Sequence, residues 1–219
     1  MINSASIVNC SFLTLREETR QIVDGGAKFF HIDLMDGHYV PNLCMPVKFV
    51  QELAKEYPQI VMDVHLMVTD PSAYVQRLAD AGAGYFSFHA DSTPFCRRVL
   101  AQARKAGMKA GVVINPSQRL DCIEPYIHDL DMVTLMAVEP GFSGQPLLPG
   151  SMERLEELAG LRKTHGAHYL INVDGGISLE LESRCAQIGV DVIIGTVHNI
   201  FRQPEGLQKA CERFERQWG

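Results

Sequence analysis

Residues 31–42 of the chain are HIDLMDGHYVPN, and they stand where an apolar, aromatic run that begins at Lys28 ends. Such a run with a polar end is typical of a buried β-strand that leads into a loop. His31 and Asp33 are two residues apart, so on a strand both side chains project from the same face. An imidazole beside a carboxylate at a strand end is half of a metal site or an acid–base pair. The alternative for this pair alone is a core histidine bonded to a neighbouring Asp.

Two further apolar runs carry the other half of such a site. Residues 61–68 are VMDVHLMV and contain His65, and residues 169–177 are YLINVDGGI and contain Asp174. Two imidazoles and two carboxylates form a nitrogen and oxygen ligand set that suits Zn, Fe, Mn or Co better than an ion that prefers thiolates. A barrel of parallel strands would bring these strand ends together.

Length and composition favour one globular domain. With 219 residues, 46% of them hydrophobic, the chain is long enough for one sizeable core, and we expect a single domain over residues 1–219. The net charge of −6 argues against a nucleic-acid or anionic-membrane surface. No apolar stretch reaches the ~18 residues of a spanning helix, and the first residues lack a basic and then apolar pattern. The six cysteines are scattered without a C-x-x-C pair, so we predict reduced thiols and a cytoplasmic protein.

Short β-rich runs alternate with stretches of helical periodicity along the whole chain. The predicted strands are Ala5–Val8, Lys28–Asp33, Ile60–His65, Gly84–His89, Lys109–Ile114, Met132–Met136, His168–Val173 and Asp191–Gly195. The predicted helices are Phe12–Asp24, Pro46–Tyr57, Pro71–Ala81, Thr93–Ala106, Leu120–Ile127, Met152–His165, Leu179–Ile188 and Pro204–Trp218. Strict alternation implies a parallel sheet, and eight repeats predict an α/β fold of the closed (β/α)8 barrel type, a TIM barrel.

In such a barrel the chemistry lies at the carboxyl ends of the strands. His31, Asp33, His65 and Asp174 all fall there. The lysines that start strands, at positions 28 and 109, lie at the opposite end. A lyase or aldolase that forms a Schiff base needs a lysine on the catalytic face, and no strand offers one.

Three glycine-containing loops follow the last three strands. Residues 139–146 are EPGFSGQP, residues 174–176 are DGG, and residues 195–196 are GT. Each one alone is typical of a plain turn. Together, on adjacent loops of one barrel face, they can offer backbone N–H groups to a phosphate. The pattern therefore favours a sugar phosphate or a similar substrate.

With these motifs collected, the chain resembles the ribulose-phosphate 3-epimerase family over essentially its whole length. The motifs that carry the resemblance are Ser6-Ile7, H-x-D-x-M-D-G-x-x-V-P-N at 31–42, D-x-H-L-M-V at 63–68, F-H at 88–89, M-x-V-E-P-G-F-x-G-Q at 136–145 and V-D-G-G-I at 173–177. The resemblance implies a barrel of the ribulose-phosphate-binding type. It also implies a homo-oligomer, of which the residues themselves give no sign.

The resemblance also implies roles for individual residues. Asp33 and Asp174 would be the two acid–base carboxylates, and one divalent metal would be held by His31, Asp33, His65 and Asp174. The implied substrate contacts are Ser6, His65, Met35, Met67, Met136, Gly141, Phe142, Ser143, Gly144, Asp174, Gly175, Gly176, Gly195 and Thr196. The alternative for the three methionines is that they simply fill the barrel core.

The implied reaction is epimerisation at C3 of a ketose phosphate, with D-ribulose 5-phosphate to D-xylulose 5-phosphate as the first hypothesis. Two carboxylates would exchange the C3 proton between opposite faces, through an enediolate whose charge a divalent metal stabilises. D-Allulose 6-phosphate is the alternative substrate. A non-catalytic phosphate-binding barrel is the alternative of another class.

Several residues depart from the usual pattern of the family. Asn9 and Ser11 stand where many members have S-A-D, and Ser143 replaces a frequent Gly or Ala. The largest departure is the segment 195–201, GTVHNIF, in which His198 is a candidate contact to the phosphate or to a longer sugar. These changes lie at the far end of the predicted pocket, so they leave open which ketose phosphate is preferred.

Overall fold

The computed structural model describes residues 1–219, and its centre is a closed barrel of parallel strands. The barrel strands are β1 (Ile2–Ser6), β2 (Phe29–Asp36), β3 (Val61–Met67), β4 (Tyr85–His89), β5 (Lys109–Ile114), β6 (Met132–Met136), β7 (Leu170–Asp174) and β8 (Val192–Gly195). Each strand pairs in parallel with the next one along the chain, and β1 pairs with both β2 and β8, which closes the barrel. The predicted (β/α)8 fold is confirmed.

Helices cover the outside of the barrel between successive strands. They are α1 (Leu15–Asp24), α2 (Val47–Glu56), α3 (Val75–Asp80), α4 (Cys96–Lys105), α5 (Ser151–Thr164), α6 (Leu179–Ile188) and α7 (Leu207–Trp218). None of them has both the length and the apolar character needed to cross a bilayer.

The core lies between the barrel and the helices because the side chains of each strand alternate in direction. In β2, Phe30, Ile32 and Leu34 belong to this apolar core, whereas His31 and Asp33 lie on the other face, toward the barrel interior. A strand buried on both faces can therefore carry a polar residue at every second position of the chain, all on its inner face. This alternation brings the predicted site residues to one place.

The first strand lies earlier in the chain than predicted. It spans Ile2–Ser6 instead of Ala5–Val8, and the chain turns into a 3-10 helix at Ile7–Asn9. Asn3 and Ser4 interrupt the apolar pattern of this strand, but both are fully buried and each hydrogen-bonds to a buried side chain. Polar residues with buried partners are not visible to a hydropathy pattern.

Two segments take helical forms other than the α-helix, and the first of them was predicted as a helix over Leu120–Ile127. Leu120–Asp129 is a 3-10 segment with a non-helical residue at Tyr126, directly after Pro125, whose ring and missing N–H disfavour an α-helix. Val197–Phe201 forms a single π-helical turn in which the N–H of Phe201 donates to the carbonyl of Thr196. A short antiparallel strand, Leu43–Cys44, additionally pairs with the end of β2.

Candidate active site

Four side chains meet at the carboxyl end of the barrel: His31 and Asp33 from β2, His65 from β3 and Asp174 from β7. One ligand atom of each lies within 4.8 Å of the other three. Asp33 Oδ1 lies 3.3 Å from His31 Nε2 and 3.1 Å from His65 Nδ1. Asp174 Oδ2 lies 3.7 Å and 3.5 Å from the same two nitrogens. The structure thus brings together all four predicted metal ligands, which we call the His2Asp2 cluster.

The residues present fit one divalent metal ion. Four tetrahedral ligands at ~2.1 Å from an ion lie about 3.4 Å apart, and the four nitrogen–oxygen separations of 3.1, 3.3, 3.5 and 3.7 Å bracket this value. His31 Nε2 is buried and has no hydrogen-bond partner within the protein, although it faces two carboxylates. A buried polar atom without a partner is costly. The position of His31 Nε2 therefore suits coordination of a metal ion.

The electrostatics of the cluster couple proton binding to metal binding. Burial disfavours the charged form of His31, but the nearby carboxylates of Asp33 and Asp63 outweigh it and hold the pKa of His31 well above its ordinary value. Burial is likewise outweighed at His65, whose pKa is raised by hydrogen bonds to Asp174 and Asp33. The same imidazoles overcome burial at Asp33 and hold the pKa of that carboxyl far below its usual range. Asp33 is therefore an anion at neutral pH, and a proton and a metal ion compete for the two nitrogens.

A fifth side chain, that of the buried Asp63, orients the imidazole of His31. Its Oδ2 lies 2.8 Å from His31 Nδ1 and accepts a 2.9 Å hydrogen bond from Ser4 Oγ, and all three residues are buried. A carboxylate only accepts, so the His31 hydrogen lies on Nδ1 and Nε2 is left to face the cluster. Carboxylate partners of this kind fix the tautomer and the ring orientation of metal-binding histidines. No sequence motif predicts this role of Asp63, although its spacing from His65 repeats that of His31 and Asp33.

His65 is oriented by a second histidine. Its Nε2 lies 2.9 Å from Nε2 of the buried His89, whose ring packs 4.6 Å from that of Tyr39. Burial and the neighbouring His65 hold the pKa of His89 well below its ordinary value, so His89 stays neutral and can accept the His65 N–H. This hydrogen bond leaves His65 Nδ1 free to face the two carboxylates.

A cavity opens directly above the His2Asp2 cluster. The predicted site residues that line it are Ser6, Asp33, Met35, Met67, Met136, Gly141, Phe142, Ser143, Gly144, Asp174, Gly175, Gly176 and Thr196. Ser6 Oγ also donates to Asp33 Oδ2 at 3.3 Å. His31, His65 and Gly195 are buried and do not form part of the cavity wall. Further lining residues, which were not among the predicted site residues, are Val8, Asn42, Val138, Glu139, Pro140 and Gln145.

Two glycines of the wall admit no side chain. Gly175 has a φ of +107°, and a Cβ atom there would lie 2.4 Å from Val138 Cγ2. A Cβ on Gly176, with a φ of +68°, would lie 2.5 Å from the backbone nitrogen of Leu147. Both positions therefore require glycine, and the bare backbone itself forms this part of the wall. Such a wall suits the close approach of an anion.

The two predicted phosphate contacts after β8 differ in their placement. Thr196 lines the cavity, but its N–H donates to Asn199 Oδ1 at 2.9 Å and its Oγ1 accepts from the N–H of His198. Gly195 lies inside the barrel wall, where a Cβ atom would be 2.4 Å from Asn3 Oδ1. Their role in phosphate binding stays a prediction.

Residues that depart from the usual family pattern contact the loop of residues 139–146 at the rim of the cavity. Ser143 Oγ donates to Asn9 Oδ1 at 2.5 Å, so two of these residues bind each other. His198 Nε2 lies 3.0 Å from the carbonyl oxygen of Gln145. The loop is thereby tied to the segments that follow β1 and β8.

The barrel, the His2Asp2 cluster and the cavity above it are the features of a TIM-barrel enzyme with a candidate metal centre. Residues 2–200 match the model of the Ribulose-phosphate 3 epimerase family. Two curated relatives agree. A ribulose-phosphate 3-epimerase of Bacillus subtilis is 36% identical over 190 residues, which cover 86% of this chain and 87% of the relative. One of Methanocaldococcus jannaschii is 35% identical over 190 residues, 87% of this chain and 80% of the relative. The chain belongs to the ribulose-phosphate 3-epimerase family and is an isomerase.

Solved structures with lower identity share the fold. The 3-hexulose-6-phosphate synthase from Salmonella typhimurium superimposes with a TM-score of 0.73 over the full length of both chains, at 17% identity. KGPDC from Streptococcus mutans gives a TM-score of 0.72 at 14% identity, covering 100% of this chain and 100% of that one. At these identities the likeness concerns the barrel alone.

Proposed function

We propose that this protein catalyses metal-dependent epimerisation at C3 of a ketose phosphate, D-ribulose 5-phosphate to D-xylulose 5-phosphate. The observation that carries the proposal is the convergence of Asp33 and Asp174 on two imidazoles at the floor of a cavity with a glycine wall. The names of the relatives, at 33–36% identity, support the choice of substrate.

The two carboxylates would exchange the proton at C3. Inversion beside a ketone requires removal of a weakly acidic C–H proton from one face and delivery of a proton to the other. Asp33 is held by its imidazole neighbours in the anionic form that a base requires, and it would act as the base. Asp174, half-buried at the end of β7, lies on the open side of the cluster and would act as its acid–base partner.

His31, Asp33, His65 and Asp174 would hold the metal. A divalent ion bound there supplies Lewis-acid stabilisation of the oxygen charge that develops when the C3 proton leaves. Ser6 donates to Asp33 and lines the cavity, so it would orient that carboxylate and contact the substrate. Met35, Met67 and Met136 supply half of the six apolar lining residues and would limit the access of water to the reacting carbon.

Deuterium incorporation tests the proposal. Metal-loaded protein in deuterated water is mixed with D-ribulose 5-phosphate or D-allulose 6-phosphate, and proton NMR follows C3 exchange and the appearance of the epimer. We expect exchange with D-ribulose 5-phosphate, reduced by about 10²–10⁴-fold in Asp33→Asn and in Asp174→Asn, the usual contribution of a general acid or base. His168→Ala, an exposed change outside the cavity wall, is the matched control.

The remaining outcomes separate the alternatives. Exchange with D-allulose 6-phosphate alone would move the substrate assignment to that sugar and keep the reaction. Exchange with neither sugar by metal-loaded protein would contradict the proposal and favour a non-catalytic phosphate-binding barrel. Metal content is measured for every variant, because Asp33 and Asp174 are also proposed ligands.

A further inference from the structure

The cavity above the His2Asp2 cluster has an unusual charge balance for a phosphate site. Three carboxylates, those of Asp33, Glu139 and Asp174, are among its lining residues. Neither lysine nor arginine lines it, and His198 is the one lining side chain that can carry a positive charge. A phosphate monoester is close to a dianion at neutral pH. A single cation in that wall therefore has a large share in the recognition of the phosphate.

The position of the His198 ring is defined by one hydrogen bond. Its Nε2 lies 3.0 Å from the carbonyl oxygen of Gln145, and because a carbonyl only accepts, Nε2 carries a hydrogen. Nδ1 makes no hydrogen bond within the protein. The ring is half-buried in the same wall as Gly144 and Gly176, the glycine positions proposed to face the phosphate.

This geometry gives the two protonation states of His198 different properties. With Nε2 committed to Gln145, neutral His198 has only an acceptor at Nδ1, which repels a phosphate oxygen. After protonation, Nδ1 becomes a charged donor, while the bond to Gln145 is kept. Charge-assisted hydrogen bonds to phosphate are roughly twice as strong as neutral ones. Phosphate binding should therefore favour the protonated ring.

We propose that His198 is a phosphate-binding residue that contacts the substrate phosphate through Nδ1 and takes up a proton when the phosphate binds. This inference rests on the proposed function, since it assigns the phosphate to the cavity beside the His2Asp2 cluster. It adds a side-chain cation to a site otherwise built from backbone and hydroxyl groups, and it assigns a purpose to the departure in residues 195–201.

Other charged groups around His198 set the background for its titration. Within the cavity these are the three carboxylates named above. On its own segment the next charged residue is Arg202. Behind the segment, Arg213 donates to the carbonyl of Asn199, and Glu182 accepts from the Asn199 side chain. Carboxylates and guanidinium groups ordinarily keep their charge between about pH 6 and 9, so none of these neighbours should change its charge in that range.

The test uses methyl phosphate, a monoester without sugar oxygens, and the metal-loaded protein with labelled histidine. NMR follows the His198 ring from about pH 5.5 to about 8.5 with and without saturating methyl phosphate. We expect the pKa of His198 to rise by about one pH unit on saturation, which corresponds to about tenfold tighter binding to the protonated form. An unchanged pKa of His198 would overturn the inference with the wild-type protein alone.

Variants give an independent measure. His198→Gln keeps a donor for the Gln145 carbonyl but cannot become a cation, and His168→Ala is the control outside the wall. We expect His198→Gln to weaken methyl phosphate binding about tenfold, with the same rise in KM for D-ribulose 5-phosphate and little change in kcat. Equal affinity in His198→Gln and wild type would contradict the inference. Methyl phosphate binding does not depend on turnover, so a failure of the epimerase proposal would be recognised separately.

Discussion

Removal of the Asp63 carboxylate should weaken metal binding without touching a metal ligand. Asp63 Oδ2 is the acceptor for His31 Nδ1 at 2.8 Å, and the ring of His31 has no other partner for that nitrogen. In Asp63→Ala the imidazole can rotate, or place its hydrogen on Nε2, where it would face the cluster and block ligation. Loss of such an orienting partner costs roughly 10–100-fold in metal affinity, or about 1.4–2.8 kcal/mol.

The substitution Asp63→Asn separates orientation from charge. The amide oxygen can still accept from His31 Nδ1 and from Ser4 Oγ, so the tautomer is kept while the negative charge is lost. We therefore expect Asp63→Asn to lose less affinity than Asp63→Ala. Ser87→Ala is the matched control, because Ser87 is a buried polar residue of β4 whose hydroxyl has no hydrogen-bond partner.

A competition titration with a chromophoric chelator measures the affinity for Zn²⁺ and Co²⁺ in each variant. The absorption of the Co²⁺-loaded protein reports whether the ligand geometry is preserved, and thermal unfolding reports whether the barrel is intact. If folded Asp63→Ala bound Co²⁺ as tightly as wild type and with the same spectrum, the orienting role of Asp63 would be refuted.

Three further results are expected. The pKa values of His31 and His65 are raised without a bound ion, so metal binding must release protons, and the affinity for the metal should fall as the pH drops below those values. Titration calorimetry in buffers of different ionisation enthalpy counts the released protons, and zero release would contradict the assignment of these histidines as ligands. Removal of the ion by a chelator should lower the melting temperature, because an ion present at about 100 times its Kd stabilises the fold by about 2.7 kcal/mol. A melting temperature that chelation leaves unchanged would argue against the metal site. Gly175→Ala should raise KM and destabilise the fold by about 1–3 kcal/mol, because the new Cβ would lie 2.4 Å from Val138 Cγ2. Gly107→Ala is the control for backbone strain alone, because Gly107 has a φ of +92° and a Cβ there would have no neighbouring atom within 4 Å. Equal effects of the two substitutions would show that the contact with Val138 is unimportant.

The architecture was predictable because the barrel repeats one pattern eight times. Each strand is an apolar run of β-rich residues, and each is separated from the next by a helical segment, so an error in one boundary does not change the fold. The first strand begins earlier than its pattern predicts, because Asn3 and Ser4 interrupt that pattern and their partners lie far away in the sequence. Local patterns do not contain such contacts.

The site was predictable to the extent that its residues stand at strand ends. The four metal ligands follow from that rule together with their chemistry, and the structure brings them together. Asp63 escapes this rule because it lies four residues before the end of β3 at Met67, where a polar side chain is usually structural. The direction of the His198 ring could not be predicted, since it depends on a π-helical turn and on a carbonyl group 53 positions away.

The register of β2 and β3 explains how two short motifs pair each histidine of the site with a carboxylate. His31-x-Asp33 and Asp63-x-His65 are mirror images in sequence, and the parallel pairing places His31 opposite Asp63 and Asp33 opposite His65. Each imidazole thus has a carboxylate as its cross-strand neighbour: Asp63, which is not part of the cluster, for His31, and Asp33, which is part of it, for His65. Asp33 lines the cavity and can contact the substrate, whereas Asp63 is buried and cannot. Their different positions along the strands therefore suit Asp33 to acid–base chemistry and Asp63 to the orientation of His31. A slip of one residue in this register would turn the inner residues of one strand toward the helices and abolish both pairs.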